Sequence, residues 1–384
     1  MNYLDGLAQV RRQMDRFVVG HNDVKEALML GLIAREHIYL EGPPGTAKTM
    51  LAEITSEAAE LEFFFYQLHR DTRLAELVGD TVIFREQEEG GEIIRQMNRK
   101  GGILTSQICV LDDISRSPGE ALNVLLRVLN ERKYGGDPIP LLTAIATGNP
   151  TKEDYYNEPL DPANLDRFTL QMKTLGLVGR NHWEDAAQVI DLYASTSSNV
   201  REVDEKVDRA ALDAANTAMP KVDLTPAVKQ LVLEFLNVLI NDYGCDDKNS
   251  MLTDRTFLVK AVKILKSKAV LEGRDHCVPE DMFVMKYLTT FRIPEELHDR
   301  IEDIIAELLR KKKIVPDESE EIEQMSQAQS EEQSEGEPRT DYSAQEAAVD
   351  HRKQQMELGE MIQQTLSPNA EDGGDNSEMN LDQE

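Results

Sequence analysis

One octet constrains this chain more than any other feature: Gly42-Pro43-Pro44-Gly45-Thr46-Ala47-Lys48-Thr49. A short apolar run, His37 to Leu40, precedes it, and an amphipathic run, Ala47 to Leu61, follows. In a strand–loop–helix of this kind the loop N–H groups converge with the helix N-terminus to make an anion hole. Lys48 then reaches the β- and γ-phosphates of a nucleotide, and the Thr49 hydroxyl offers an oxygen to Mg²⁺. One position departs from the general pattern. Ala47 stands where glycine is usual before the lysine. Alanine is small and tolerates helical backbone angles, so the loop is expected to survive.

The surrounding pattern agrees with an α/β fold. Further strands are predicted at Glu62 to Tyr66, Ile108 to Asp112, Leu141 to Thr147 and Phe168 to Met172, with a helix from Pro118 to Arg132 between the middle two. Strands alternating with helices at this spacing predict a mostly parallel sheet covered on both faces. Ahead of them, Asn2 to Arg35 reads as helix, broken at Phe17-Val18-Val19-Gly20. After Leu175 the strand signal stops. Helices are predicted at Trp183 to Tyr193, Asp208 to Met219, Pro226 to Tyr243, Asp254 to Leu271, Pro279 to Phe291 and Ile293 to Lys311. Three of them open on cap or first-turn signals, Thr225-Pro226, Thr253-Asp254 and Val278-Pro279-Glu280.

Charge divides the chain again. Net charge is −29 over 384 residues, and from Val315 onward 20 acids face 3 bases, a net of −17. That stretch is rich in Glu, Ser and Gln and poor in large apolar groups, so it is expected to be disordered. Tyr342 to Leu366 is either a weak docking helix or, as the preferred reading, no ordered element at all. A chain this acidic is a poor candidate for nucleic acid or an anionic membrane surface. No apolar run approaches the roughly 18 residues of a membrane span, and the start carries no apolar signal core. Cys109, Cys245 and Cys277 show no pairing rhythm. The expected location is the cytoplasm.

Four more motifs carry chemistry. Ile108-Cys109-Val110-Leu111-Asp112-Asp113 ends a buried strand on two acids, at the sheet edge where ligands bind. Asp112 would hold Mg²⁺ and Asp113 would polarise the attacking water. Asn149, in Ala146-Thr147-Gly148-Asn149-Pro150, can orient that water or simply form a turn. Arg167, in Leu165-Asp166-Arg167-Phe168, is either a surface ion pair with Asp166 or a cation inserted into a neighbouring subunit's site. Arg255, in Thr253-Asp254-Arg255-Thr256, either folds back on the γ-phosphate or is a solvated first-turn residue.

The order of these five elements resembles the AAA+ ATPases, and the detail resembles their MoxR branch, from about Val18 to Leu309. The matching stretches include Val18-Val19-Gly20, His37 through Gly45, Asp113-Ile114-Ser115-Arg116-Ser117-Pro118, Leu125 through Glu131, Ala146 through Pro150, Leu165 through Phe168, Leu271 through Arg274 and Val278 through Asp281. The resemblance implies an AAA+ P-loop domain with a parallel five-stranded sheet over residues 1–174. It implies a small all-α lid over 175–314, ahead of the acidic tail, 315–384. Asn149 matches the sensor 1 position, Arg167 the arginine finger and Arg255 the sensor 2 position. The backbone of Val18, Val19 and Gly20 would meet the adenine of ATP, and Gly42 through Met50 would hold its phosphates. Thr49 and Asp112 would serve Mg²⁺. Thr72 to Ile103 resembles the family's insertion into its second helix, and Val82 to Arg95 reads as a hairpin with a turn near Glu88 to Gly91.

The family has Glu where this chain has Asp113. The missing methylene draws the carboxylate back by about 1 Å, a displacement that can cost on the order of 100-fold in rate. The implied activity is Mg²⁺-dependent ATP hydrolysis in a ring, hexameric by resemblance, with chaperone-like remodelling or maturation of a client protein. The implied companion carries a von Willebrand factor A domain. The alternative is a nucleotide-gated assembly scaffold with slow or no hydrolysis, which Asp113 favours and which the intact Asn149, Arg167 and Arg255 oppose.

Overall fold

A computed structural model describes residues 2–88, 91–150, 160–176, 182–195, 203–252 and 255–311; of residues 81–88 and 91–98 it describes the backbone alone. The acidic stretch from residue 316 lies outside the described residues, as do Thr253 and Asp254. The disordered-tail and docking-helix readings therefore fall outside them too.

The N-terminal helical run is two helices, α1 (Tyr3–Phe17) and α2 (Asn22–Ala34), parted at Val18–His21. Gly20 and His21 both take left-handed backbone angles, and that turns the chain. Strand β1 (Ile38–Glu41) leads into the phosphate loop and α3 (Lys48–Ala58). Then come β2 (Phe63–Gln67), a short α4 (Leu74–Val78), the antiparallel hairpin β3 (Thr81–Glu88) and β4 (Gly91–Asn98), and β5 (Ile108–Asp112). Helix α5 (Gly119–Glu131) is followed by a two-residue hairpin, β6 (Lys133–Tyr134) and β7 (Asp137–Pro138), and by β8 (Thr143–Gly148). A single turn, α6 (Pro162–Leu165), precedes β9 (Leu170–Lys173).

Strands β2, β5, β8, β1 and β9 form one sheet in that order, every pairing parallel. Alternation along each strand divides the core in two. Ile38, Leu40, Ile108, Val110, Ile145, Leu170 and Met172 face α1, α2 and α3. Tyr39, Cys109, Leu111, Ala144 and Ala146 face α5, which supplies Leu122, Leu125, Leu126 and Leu129. The strands are nearly continuous apolar runs because both faces are covered.

After β9 the structure is helical: α7 (Trp183–Ser195), α8 (Ala210–Ala218), α9 (Pro226–Asn237), α10 (Arg255–Leu271), α11 (Lys286–Thr289), α12 (Glu295–His298) and α13 (Ile301–Lys311). Thr225 caps α9 through Val228 N–H, as its Thr-Pro signal predicts. Three expected helices are subdivided. The run to Tyr243 ends in a π-helical turn, Val238–Asp242. The Pro279 run opens as a 3-10 helix, Pro279–Met285. The last run breaks between α12 and α13. Strand β8 also starts later than expected, because the carbonyls of Leu141 and Leu142 accept from Arg132 Nη1 at 2.7 and 2.8 Å. No described helix is long and apolar enough to cross a membrane.

Candidate nucleotide site

The phosphate loop leaves β1 at the carboxyl edge of the sheet, where Gly42 N–H donates to Gly148 O at 3.0 Å. Gly42 cannot be replaced without movement, since a Cβ there would lie 1.9 Å from Thr174 Oγ1. The Thr46 hydroxyl donates to Pro43 O at 3.1 Å and closes the loop on itself. The Lys48 ammonium donates to Gly42 O at 2.8 Å and Pro43 O at 2.9 Å. Burial lowers its pKa, and the charges of Asp112 and Asp113 oppose that shift. Its positive charge therefore sits in the field of both acids. Thr49 and Met50 follow in the first turn of α3, both half-buried.

Ala47 corrects the expectation of helical angles. It sits in the left-handed region, φ 55° and ψ 17°. Here glycine would be unstrained, and an L-residue costs about 1–2 kcal/mol. The usual glycine has a conformational reason, and alanine occupies the position under strain.

Asp112 ends β5 and Asp113 follows it, at the same carboxyl edge as the phosphate loop, with β8 between β5 and β1 in the sheet order. Thr147 of β8 binds both: its hydroxyl donates to Asp112 Oδ1 and accepts from Asp113 N–H at 3.2 Å. Asp113 is buried and left-handed, φ 54°. Asn149 Nδ2 donates to its Oδ1 at 2.7 Å, and Arg116 Nη1 lies 3.4 Å from its Oδ2. Arg116, three residues on from Asp113, thus faces the acid of its own chain. Thr147 was missed as a functional residue, because its role depends on the β5–β8 register, which no local signal reveals.

Val18, Val19 and Gly20 link α1 to α2. The buried Lys25 donates to Val18 O at 2.6 Å and Asp15 Oδ1 at 2.7 Å, which fixes this corner. Three residues beyond Gly20, Asp23 joins Met172, Lys173, Tyr287, Thr290 and His298 in lining a cavity of about 270 Å³. Lys173 is in register with Glu41, the last residue before the phosphate loop, so the cavity adjoins that loop.

The two arginines lie elsewhere. Arg167 is exposed and precedes β9, so it sits at the amino edge of the sheet, opposite the phosphate loop. In β9, register Ile38↔Leu170 to Glu41↔Lys173 separates the edges; four residues of strand span about 13 Å. The ion-pair reading with Asp166 does not hold: Asp166 Oδ1 pairs with Lys260 at 3.0 Å and Arg292 at 3.1 Å. Arg167 has no ion pair among the described residues.

Helix α10 runs along α2 and across this amino edge. Lys268 pairs with Glu26 at 2.7 Å, Lys263 with Glu36 just before β1, and Lys260 with Asp166 just before β9. Exposed Arg255 lies one and a half turns beyond Lys260, about 7.5 Å further along the axis. It therefore shares the Arg167 side of the subunit. The reading that folds Arg255 back onto its own γ-phosphate site is not supported.

Comparison with known proteins agrees with this architecture. Residues 5–201 match the family model of the MoxR domain in MoxR–vWA–beta-propeller ternary systems, and residues 231–305 match an AAA lid domain. The chaperone MoxR1 of Mycobacterium tuberculosis is 26% identical over 300 residues, covering 75% of this chain and 74% of that protein. Protein MoxR of Methylorubrum extorquens is 23% identical over 342 residues, covering 82% and 93%. In fold, the chain is similar to the crystal structure of a protein from Cytophaga hutchinsonii described as an ATPase. The TM-score is 0.63 at 23% identity, over 80% of this chain and 94% of that one.

Proposed function

We propose a function from one premise: this chain belongs to the MoxR family of AAA+ proteins, whose domain model takes in residues 5–201. On that premise the protein is a Mg²⁺-dependent ATPase that works as a ring, hexameric by family resemblance, and remodels or matures a client protein. Lys48 and the loop N–H groups bind the β- and γ-phosphates. The nucleoside lies toward Val18–Gly20 and the cavity beside Asp23 and Lys173. Thr49 and Asp112 offer hard oxygen donors of the kind Mg²⁺ prefers. Held by Thr49 and Asp112, the ion would supply positive charge against the negative charge that develops on the phosphates. Asp113 takes the proton of the attacking water, while Asn149 holds its carboxylate in place.

One observation carries the reading. The acids and phosphate loop lie at one edge of the sheet, while the exposed Arg167 and Arg255 lie at the other. A subunit has two cations that its own site does not use. In a ring, both act on the neighbour's nucleotide. Arginines of this kind contribute about 10³–10⁵ in rate elsewhere.

The family description points to a companion with a von Willebrand factor A domain, and to a beta-propeller protein in the same system. The test of the catalytic reading is phosphate release per subunit across protein concentration. It should rise as rings assemble and be near background for the lone subunit. A rate independent of concentration, with sedimentation showing assembly, would overturn the trans assignment.

A second reading, a scaffold that binds ATP and hydrolyses slowly, is favoured by the shorter Asp113 and by its double engagement with Asn149 and Arg116. Turnover near background in fully assembled rings would select it.

A further inference from the structure

Arg167 is exposed, yet the backbone on both sides of it is held unusually well. Gln171 Nε2 donates to Leu165 O at 2.8 Å and to Phe168 O at 3.1 Å. Lys260 donates to Asp166 O as well as to its carboxylate. Arg292 donates to Phe168 O at 2.8 Å, Thr169 O at 3.2 Å and Asp166 Oδ1 at 3.1 Å. Its remaining bond reaches back to Leu288 O at 2.6 Å. The carbonyls of residues 165, 166, 168 and 169 are thus each taken by a side chain.

The composition of this clamp needs a reason. Arg292 is 1% exposed. Two cations share the single carboxylate of Asp166; burial lowers the Lys260 pKa, and the charge of Arg292 lowers it further. A buried ionic triad often contributes no more stability than apolar residues of similar volume, so stability alone does not explain it. What it does supply is a fixed direction for the chain at Arg167. It also supplies a link, because Lys260 and Arg292 belong to the helical part after residue 255, whereas Arg167 belongs to the edge of the sheet.

We infer that Lys260 and Arg292, with Gln171 and Asp166, are positioning residues that aim Arg167 at the nucleotide of the adjacent subunit. Movement of α10 and of the segment around Arg292 is thereby transmitted to that cation. The inference rests on the trans reading of Arg167. A misplacement of 1 Å at such a group can cost about 100-fold in turnover.

The test uses Lys260→Met, Arg292→Lys and Asp166→Asn in the full chain, with Arg167→Ala alongside. Each clamp variant should bind Mg·ATP as wild type does and keep its KM, while kcat falls by about 10- to 100-fold. Mixed with Lys48→Ala, which offers an intact arginine but no working site, each should regain turnover; mixed with Arg167→Ala, none should. A purely structural defect would not discriminate between these two partners. Arg292→Lys tests geometry alone, since charge is kept and the fork is lost. If Arg292→Lys fails to fold, Lys260→Met, at a half-buried position, still decides the matter. Wild-type kcat in Lys260→Met and Asp166→Asn, with Arg167→Ala inactive, would overturn the clamp and leave the trans arginine standing. Wild-type kcat in Arg167→Ala would overturn both.

Discussion

The Asn149 amide donates to the Asp113 carboxylate at 2.7 Å, so a residue at the end of β8 fixes the proposed base at the end of β5. Asp113 itself has a left-handed backbone, φ 54°. Asp113→Asn should bind ATP but lose about 10²–10⁴ in turnover, because an amide cannot take up the proton. Asp113→Glu should match or exceed wild type. Equal phosphate release from all three forms, well above background, would remove Asp113 from the mechanism.

The strain at Ala47 has a measurable consequence. Ala47→Gly removes about 1–2 kcal/mol of left-handed strain. It also frees the unfolded chain by roughly 0.5–1 kcal/mol. Thermal melting should therefore show little change or a small gain, and ATP affinity should not fall. Ala47→Val should destabilise clearly, since a β-branched residue is a severe outlier at this φ. Equal stability of the Gly and Val forms would contradict the left-handed assignment.

Lys48→Ala should abolish Mg·ATP binding in calorimetry, because its ammonium is the cation between the loop and the two acids. Wild-type affinity in that variant would show that Lys48 is not the phosphate lysine.

His37 gives a pH signature. It is buried, it meets Leu129 O through Nε2 at 2.9 Å, and its Nδ1 accepts from Ala144 N–H at 3.0 Å. Burial lowers its pKa to about 4, from 6.5. The folded state therefore binds the proton less well than the unfolded one. The contribution is fully present above pH 6.5 and is lost as pH falls toward 4. It amounts to about 3 kcal/mol. The melting-temperature gap between wild type and His37→Gln should narrow from pH 7 to pH 5. A gap constant over that range would contradict the neutral buried imidazole.

Much of this site could be read from local pattern. The phosphate loop, Asp112-Asp113 and Asn149 each sit at the end of an apolar run, and a run's end marks the sheet's carboxyl edge. What could not be read depends on register and tertiary path. Thr147 bridges the two acids only because β8 lies beside β5. Arg255 changes sides because Lys260, Lys263 and Lys268 pin α10 to the opposite edge, through acids far away in sequence. The left-handed angles of Ala47 are set by the loop and not by the residue's own propensity. The β6–β7 hairpin did have a signal, Gly135-Gly136, both with positive φ.

Mixed rings decide whether Arg167 completes a neighbour's site. Arg167→Ala and Lys48→Ala should each be nearly inactive alone. Combined, they form interfaces with one good site and one good arginine, so phosphate release should reappear and peak at intermediate mixing ratios. No recovery at any ratio, with mixed rings verified by sedimentation, would contradict action in trans.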